Sequence, residues 1–351
     1  MRVHVTDLKN GDQLSRDVFN DNGLQVLSGG TALSSQEIAR LLRHKIDYVD
    51  IEARKTYDTI TRTLETTVSP KWLPAVKPLY ENAVHMMAEL FAEASGHGQI
   101  DIRRAAAVFT PLLNNLQMER DVVSMLLLLN TKDDYACQHS VQVGMLSYYL
   151  ASWVGYSNEE AIKIGKAGYL HNIGNCMLDT RILNKPGELT NEEFEKVKCH
   201  TVYGYEILTA SSDDHVAAIG ALQHHERFNG TGYPEGLSGD RIHPVAKIVA
   251  VADIYSAMIS ERVYRKKRDL WFVLKELYRL SFSELDPYTT QTFIKHMMPN
   301  FIGKRIELSN GESGIIVLTH PTEFFQPLIQ VDDRFIDLTL ERDYEIEHVY
   351  L

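Results

Sequence analysis

Histidines are the residues of this sequence whose types and spacing point most directly to chemistry. Seven of its 14 histidines fall between positions 139 and 243, and most of these stand beside apolar positions of predicted helices. Buried polar side chains need partners, so several imidazoles on apolar helices are difficult to satisfy without a shared cation. The sequence therefore predicts a metal site, and its candidate ligands are His139, His171, His200, His224, His225 and Asp253.

This candidate set is larger than a single structural zinc site needs. Imidazole suits iron, manganese, zinc or nickel, and more than four ligands favour two ions in one centre. Two further histidines of the region, His215 and His243, do not fit the pattern. We predict that they lie at the surface or in loops.

The elements that must position these side chains are helices. From about residue 55 to 300, apolar residues recur at helical spacing. Two helix starts carry a capping box, in which a hydroxyl and a carboxylate satisfy free backbone N–H groups. These pairs are Ser157 with Glu160 and Thr190 with Glu193.

A loop and an apolar helix follow the last pair of candidate histidines. Residues 227–239 contain four glycines and Pro234, a composition that predicts a loop. Pro244 then suits the first turn of a helix, and the apolar pattern after it predicts a helix to about Ser260.

The flanks of the helical region differ from it in pattern. A helix is predicted from Ser34 or Ser35 to about Lys45. An apolar stripe at helical spacing follows from Trp72, and Pro78 predicts that the regular helix starts after it. Together the patterns predict four parts: a small α+β unit at 1–52, a helical linker or dimerisation segment at 53–125, a helical domain at 126–300 and a β-rich unit at 301–351.

Composition excludes several classes of partner. The 36 Lys and Arg against 47 Asp and Glu give a net charge of −11, which would repel a nucleic-acid polymer or an anionic membrane surface. No apolar run approaches the ~20 residues that a membrane span needs. Three cysteines without a CxxC pair are typical of a reducing compartment, and we predict a cytoplasmic protein.

Three motifs of the helical region resemble the HD-GYP family, a bacterial branch of the HD metal-dependent phosphohydrolases. They read HNIGNCMLDTRILNKPGELTNEEFEKVKCH, HHERFNGTGYPEGLSG and VADIYSAMISERVYR, and the resemblance covers roughly residues 130–300. It implies a mainly α protein in which a helical HD-type domain is flanked by the small N-terminal α+β unit and the C-terminal β-rich unit. It also implies iron or manganese as the metal and hydrolysis of cyclic di-GMP by a metal-activated water.

Carried over residue by residue, the resemblance assigns roles in this chain. The six candidate ligands fall on the family's metal positions. The substrate-binding positions fall on Gly232, Tyr233, Pro234, Arg262 and Arg265.

The chain departs from the family pattern at its defining His-Asp pair. Asn172 stands where the family has an aspartate that bridges the metals, and Asn175 stands where it has a lysine that faces phosphate. Asn229 and Ser256 replace two further acids. Tyr135 stands where three-metal members have a glutamate, so we do not expect a third ion.

These departures leave two main functions open. One is a cyclic di-GMP phosphodiesterase with weakened or lost catalysis, and the other is a non-catalytic sensor of cyclic di-GMP or a protein-interaction module. A phosphohydrolase of another nucleotide is a third alternative, which the recognisable GYP loop disfavours. The metal content is equally open at one ion, two ions or none. A homodimer and a signalling-protein partner also remain alternatives.

Overall fold

The computed structural model describes residues 2–5, 8, 11–19, 25–44, 46, 48–52, 72–116, 122–129, 135–185, 187–213, 215–259 and 270–350. The chain forms two compact units, Met1–Leu73 and Pro74–Leu351. The helical region and the β-rich tail thus belong to one unit. The finer division into four parts stays a prediction.

The first unit is a small α+β structure with its own apolar core. Strand β1 (Arg2–His4) pairs antiparallel with β4 (Tyr48–Asp50), and β2 (Val18–Phe19) pairs antiparallel with β3 (Gln25–Leu27). Helix α1 (Ser35–Arg43) begins where predicted and ends two residues before Lys45. The core residues are Val5, Leu14, Val18, Val26, Leu27, Leu33, Leu41, Val49 and Ile51.

The second unit is mainly helical. Its helices are α2 (Leu73–His97), α3 (Ile102–Leu116), α4 (Val122–Leu129), α5 (Tyr135–Val154), α6 (Asn158–Leu170), α7 (Thr180–Leu183), α8 (Asn191–Lys198), α9 (His200–Ser211), α10 (His215–Gln223), α11 (Pro244–Ile259), α12 (Leu270–Leu280) and α13 (Pro287–Met297). Both predicted capping boxes are confirmed, at the starts of α6 and α8. The helix after Pro244 is also confirmed.

Helix α2 corrects one prediction, because Pro78 lies inside the helix and does not precede it. The buried face of α2 runs without a break from Val76, N-terminal to the proline, to Ala94. Packing of this face holds the first turn in place despite the backbone hydrogen bond that proline cannot make. The same face is buried within the chain, where the Tyr169 hydroxyl of α6 donates to the Ala83 carbonyl at 2.7 Å.

The C-terminal segment forms one antiparallel sheet of five strands. They are β5 (Arg305–Leu308), β6 (Ser313–Leu318), β7 (Leu328–Val331), β8 (Arg334–Asp337) and β9 (Ile346–Tyr350), in the spatial order β8-β7-β6-β5-β9. The alternation predicted from the sequence is seen in β5, where Ile306 and Leu308 are buried while Arg305 is exposed.

Among the described residues, no helix combines the length and the apolar character needed to cross a bilayer.

Candidate metal centre

The structure brings the six predicted ligands together in two groups. The three-histidine group consists of His200, His224 and His225, and the aspartate group consists of His139, His171 and Asp253. Within each group, one potential ligand atom of each residue lies within 4.8 Å of the others. The groups are neighbours, since the ring centroids of His171 and His224 are 4.9 Å apart.

Five helices or helix ends deliver these side chains. Helices α5 and α11 contribute His139 and Asp253 from their interiors, whereas the other four ligands stand at helix ends. A 3₁₀ helix after His171, Ile173–Met177, packs against the start of α9. Only glycine fits at position 174, because a Cβ there would overlap the carbonyl oxygen of His200.

Backbone carbonyls fix the orientation of three of the imidazoles. His171 Nδ1 lies 2.7 Å from the Gly168 carbonyl oxygen, and His200 Nδ1 lies 2.7 Å from that of Val197. His224 Nδ1 lies 2.8 Å from the carbonyl oxygen of Ala221. A carbonyl only accepts hydrogen bonds, so each Nδ1 carries the proton and each Nε2 turns a lone pair into the centre.

This proton placement leaves lone pairs that no donor among the described residues satisfies. The Nε2 atoms of His200 and His224 face each other at 3.3 Å, although both are acceptors. His171 Nε2 is buried, has no hydrogen-bond partner among the described residues and lies 3.7 Å from Asp253 Oδ1. Buried lone pairs are costly unless a donor or a cation meets them. The residues present therefore fit divalent metal ions.

The protonation states of the ligands agree with this fit. Burial lowers the pKa of His200 to about 4 and that of His225 to about 3, and it also holds the pKa of His224 well below its usual range. Burial raises the pKa of Asp253, but its interactions with His139 and His171 outweigh that effect and hold it well below the usual range. At neutral pH the three-histidine group is uncharged and Asp253 is a carboxylate, the forms that bind cations.

Two of the departures from the family pattern lie at the start of and within the 3₁₀ helix that follows His171. Asn172 is half-buried, follows His171 and makes no side-chain hydrogen bond to cap the 3₁₀ helix. Asn175 is also half-buried, and its N–H donates to the Asn172 carbonyl at 3.0 Å. Asp253 is the one carboxylate in the two groups that the described residues form. The centre therefore carries little negative charge.

The loop at 227–239 is ordered and folds over the three-histidine group. The Tyr233 ring stacks on His225 with centroids 4.7 Å apart, and the Tyr233 N–H donates to the His225 carbonyl at 3.2 Å. Gly232 permits this approach, because a Cβ there would overlap the backbone nitrogen of Arg227 and the His225 carbonyl oxygen. Pro234 is exposed and follows a cis peptide bond.

Of the other residues singled out from the sequence, Ser256 and Tyr135 contact His139 of the aspartate group, whereas Asn229, His215 and His243 are in neither group. The Asn229 side chain accepts hydrogen bonds from the N–H and hydroxyl of Thr231, at 3.1 and 2.7 Å, and so stabilises the loop. His215 is exposed at the start of α10, and His243 lies in the loop before α11. Arg262 and Arg265 lie outside the described residues.

Sequence reasoning missed two residues beside the loop. Glu226 is 2% exposed, and its carboxylate accepts from the N–H groups of Glu235 and Leu237, both at 2.8 Å. Lys198 places Nζ 5.6 Å from the centroid of the Tyr233 ring and pairs with Glu195 at 2.6 Å. An acid directly after two histidines and before a glycine-rich loop is the signal that could have identified Glu226.

Replacing Glu226 by glutamine is expected to loosen the loop. The amide presents one acceptor in place of two, so one N–H of the loop loses its partner. We expect the free energy of unfolding in urea to fall by about 2 kcal/mol, the range for hydrogen bonds to a charged group. Glu235→Gln is the matched control because this exposed residue contributes its backbone N–H and not its carboxylate. An unchanged urea midpoint for Glu226→Gln would contradict this stabilising role of the Glu226 carboxylate.

Comparison with known proteins agrees with the resemblance seen in the motifs. The family model described as HD domain matches residues 122–288. A cyclic di-GMP phosphodiesterase of Pseudomonas aeruginosa is 29% identical over 324 residues, which cover 86% of this chain and 78% of that protein. A cyclic di-GMP phosphodiesterase of Thermotoga maritima is 41% identical over 160 residues, which cover 45% of this chain and 44% of that protein.

A solved structure supports the fold. The HDG"Y"P protein from Bdellovibrio bacteriovorus aligns with 84% of this chain and 97% of its own length, with a TM-score of 0.51 at 18% identity. The predicted fold class, a helical HD-type domain with a small α+β unit before it and a β-rich unit after it, is confirmed. The predicted resemblance to the HD-GYP family is confirmed as well.

Proposed function

We propose that this HD-domain protein binds cyclic di-GMP over its two groups of metal ligands, and that Asn172 leaves hydrolysis of the dinucleotide slow or absent. One observation carries the proposal: both ligand groups are intact, but the carboxylate that the family pattern has at position 172 is replaced by asparagine. The groups retain buried lone pairs that call for cations, as the 3.3 Å approach of two Nε2 atoms indicates. Asn172 stands where the family pattern has a carboxylate that bridges the metals, and its neutral amide supplies no charge.

In this proposal the protein's own residues hold the metal and orient the nucleotide. The three-histidine group would hold one ion and the aspartate group would hold a second more weakly, with iron or manganese as the metals. When bound, such ions lower the pKa of a water and stabilise charge on phosphate oxygens. Tyr233 is stacked on His225, so a nucleotide entering the centre passes along its ring.

Asn172 lowers the affinity for a second ion for an electrostatic reason. Two divalent cations a few ångströms apart repel strongly unless negative ligands lie between them. An amide of the same shape as aspartate offers one carbonyl oxygen and no charge. Asp253 supplies the one carboxylate of the two groups that the described residues form. The affinity for a first ion is therefore higher than the affinity for a second.

Lys198 is the cation that we assign to the nucleotide phosphate. Its Nζ lies 5.0 Å from the Phe194 ring centroid and 5.6 Å from that of Tyr233, the ring that stacks on His225. Asn175 stands where the family pattern has a lysine that lies nearer the metals. A cyclic dinucleotide has two phosphates. If one phosphate binds at the metals, the other is available to a cation beside the loop at 227–239.

Replacing Lys198 by methionine is expected to weaken cyclic di-GMP binding by about 10-fold, the loss of one charge-assisted contact. Isothermal titration calorimetry on the manganese-loaded protein measures this. Lys196→Met removes the same charge from an exposed position on the same helix and should bind like the unaltered protein. Equal losses in both variants would indicate a general charge effect and not a contact.

The second candidate function is a sensor or protein-interaction module that binds the nucleotide without hydrolysing it. It is favoured by the joint loss of charge at Asn172 and Asn175, because a protein can lose catalytic residues and still keep its fold. Composition favours the cytoplasm for either function. A homodimer or a signalling-protein partner is compatible with both.

Hydrolysis of cyclic di-GMP by the purified full chain separates the two functions. The reaction is run anaerobically with iron or manganese and followed by chromatography, beside the Asn172→Asp variant. Turnover by the unaltered protein identifies a phosphodiesterase. Turnover by the variant alone identifies a sensor derived from an enzyme. Failure of the unaltered protein to bind cyclic di-GMP at all would refute the proposed function.

A further inference from the structure

A row of imidazole rings passes through the two ligand groups, and an aromatic side chain continues it at each end. The four histidines of the row contact one another in the order His139, His171, His224 and His225. At one end Tyr135 stacks on His139, with centroids 5.7 Å apart and ring planes at 18°. At the other end Tyr233 stacks on His225, with centroids 4.7 Å apart.

Phe194 of α8 extends the second end by one more ring. Its centroid lies 6.2 Å from that of Tyr233, with the two planes at 83°. Lys198, one turn later on α8, places Nζ 5.0 Å from the Phe194 centroid. The last ring at this end therefore lies beside the cation that we assign to a phosphate.

The two terminal rings are open to solvent, whereas the ligands between them are not. Tyr135 is 38% exposed and Phe194 is 43% exposed, while His171 and His224 are fully buried. A large aromatic ring that is partly exposed beside a ligand site can accept a second planar group. The centre thus has an accessible aromatic surface at both ends.

A cyclic dinucleotide has the shape that such a site would accept. Its two phosphates alternate with two sugars in a ring, and each sugar carries one base. With a phosphate at the metals, the bases project from the sugars on either side of it. Every nucleobase has a π face, so aromatic side chains bind bases by stacking. Aromatic rings at both ends of the row match a ligand that has two bases.

We propose that Tyr135 and Phe194 are base-stacking residues, one at each end of the row, that bind the two bases of cyclic di-GMP. The inference rests on the proposed function, since a phosphate at the metals sets where the bases lie. Tyr135 stands where three-metal members of the family have a glutamate. In this chain the position therefore contacts the nucleotide and not an ion.

Isothermal titration of the manganese-loaded full chain with cyclic di-GMP tests both rings. We expect Tyr135→Ala and Phe194→Ala each to weaken binding about 10-fold, within the range for loss of one base stack. The double variant should lose about 100-fold, because the rings lie at opposite ends of the row. Tyr135→Phe and Phe194→Tyr keep a ring and should retain the affinity. Undiminished binding in either alanine variant overturns the two-ended site.

Phe282→Ala is the matched control. Phe282 is 70% exposed in the turn after α12, and its ring contacts Tyr278. Its removal should leave the affinity for cyclic di-GMP unchanged. An equal loss in Phe282→Ala would indicate a general effect of removing exposed rings and overturn the assignment.

Mn²⁺ affinity, measured by equilibrium dialysis, separates stacking from support of the metal centre. It should be unchanged in Tyr135→Ala and Phe194→Ala, because neither ring is a ligand. A fall in Mn²⁺ affinity as large as the fall in nucleotide affinity would show that the ring acts through the ions and would overturn the proposal.

Fluorescence supplies a direct readout of stacking. We expect saturating cyclic di-GMP to quench the indole introduced in Phe194→Trp and in Tyr135→Trp, beyond any change in the unaltered protein with its three tryptophans. Unchanged emission in either variant at saturation overturns the stack at that end. Absence of cyclic di-GMP binding by the unaltered protein would refute the proposed function. Binding that survives the loss of both rings refutes this inference alone.

Discussion

Replacing Asn172 by aspartate is expected to raise both Mn²⁺ affinity and the rate of cyclic di-GMP hydrolysis by more than about 100-fold. Loss of a partner behind a metal ligand typically costs about 10- to 100-fold, and a carboxylate between two ions contributes more than such a partner. Asn172 directly follows His171, whose Nε2 is buried, unpaired among the described residues and 3.7 Å from Asp253. Aspartate has the same shape and adds the charge that two cations need between them.

The rate is measured by chromatography of the products, and Mn²⁺ affinity by equilibrium dialysis. Asn184→Asp is the matched control, because it adds the same charge at an exposed position after α7. It should behave like the unaltered protein. If Asn172→Asp leaves the rate of an active protein unchanged or lowers it, our account of the metal bridge is wrong.

Replacing His224 by alanine is expected to abolish metal binding at the three-histidine group and to remove hydrolysis from an Asn172→Asp protein. His224 is fully buried, and its ring contacts those of His171, His200 and His225 at centroid distances of 4.9, 5.3 and 4.2 Å. It is the imidazole that joins the two groups. Loss of a direct ligand should lower Mn²⁺ affinity more than about 100-fold.

Metal content by elemental analysis and turnover by chromatography measure this result. His215→Ala removes an exposed histidine from the start of α10, the helix that ends directly before His224, and should change neither. Thermal unfolding of the metal-free proteins separates a lost ligand from a lost fold, because the metal-free His224→Ala protein should remain folded. Full metal content in the folded variant would contradict the assignment of His224 as a ligand.

Much of the candidate site could be predicted from the sequence for a simple reason. A buried imidazole or carboxylate on an apolar helical stretch needs partners from other segments, so residue type and spacing alone mark His139, His171 and Asp253 as candidates. Capping boxes are equally local, since they span three residues, and those of α6 and α8 are confirmed. The metal-binding roles of these residues stay predictions until they are tested.

The features that escaped prediction depend on contacts between distant segments. Glu226 reads as an ordinary charged residue, and its role is visible only where the loop returns to place two N–H groups on its carboxylate. Pro78 reads as a helix start, but the continuous buried face of α2 overrides that local preference. The hydrogen bond from Ser256 to Gln142 joins residues 114 positions apart.

The sequence by itself determined the helical class of the domain, the family that it resembles, the six candidate ligands and the loss of charge at Asn172. Each follows from residue types and short spacings, which are properties of a local segment. The tertiary structure alone decided how the ligands divide into two groups, which ring nitrogens face the centre, and that Ser256 contacts His139. These depend on distances of about 3 Å between different helices, and only the packing of those helices sets such distances.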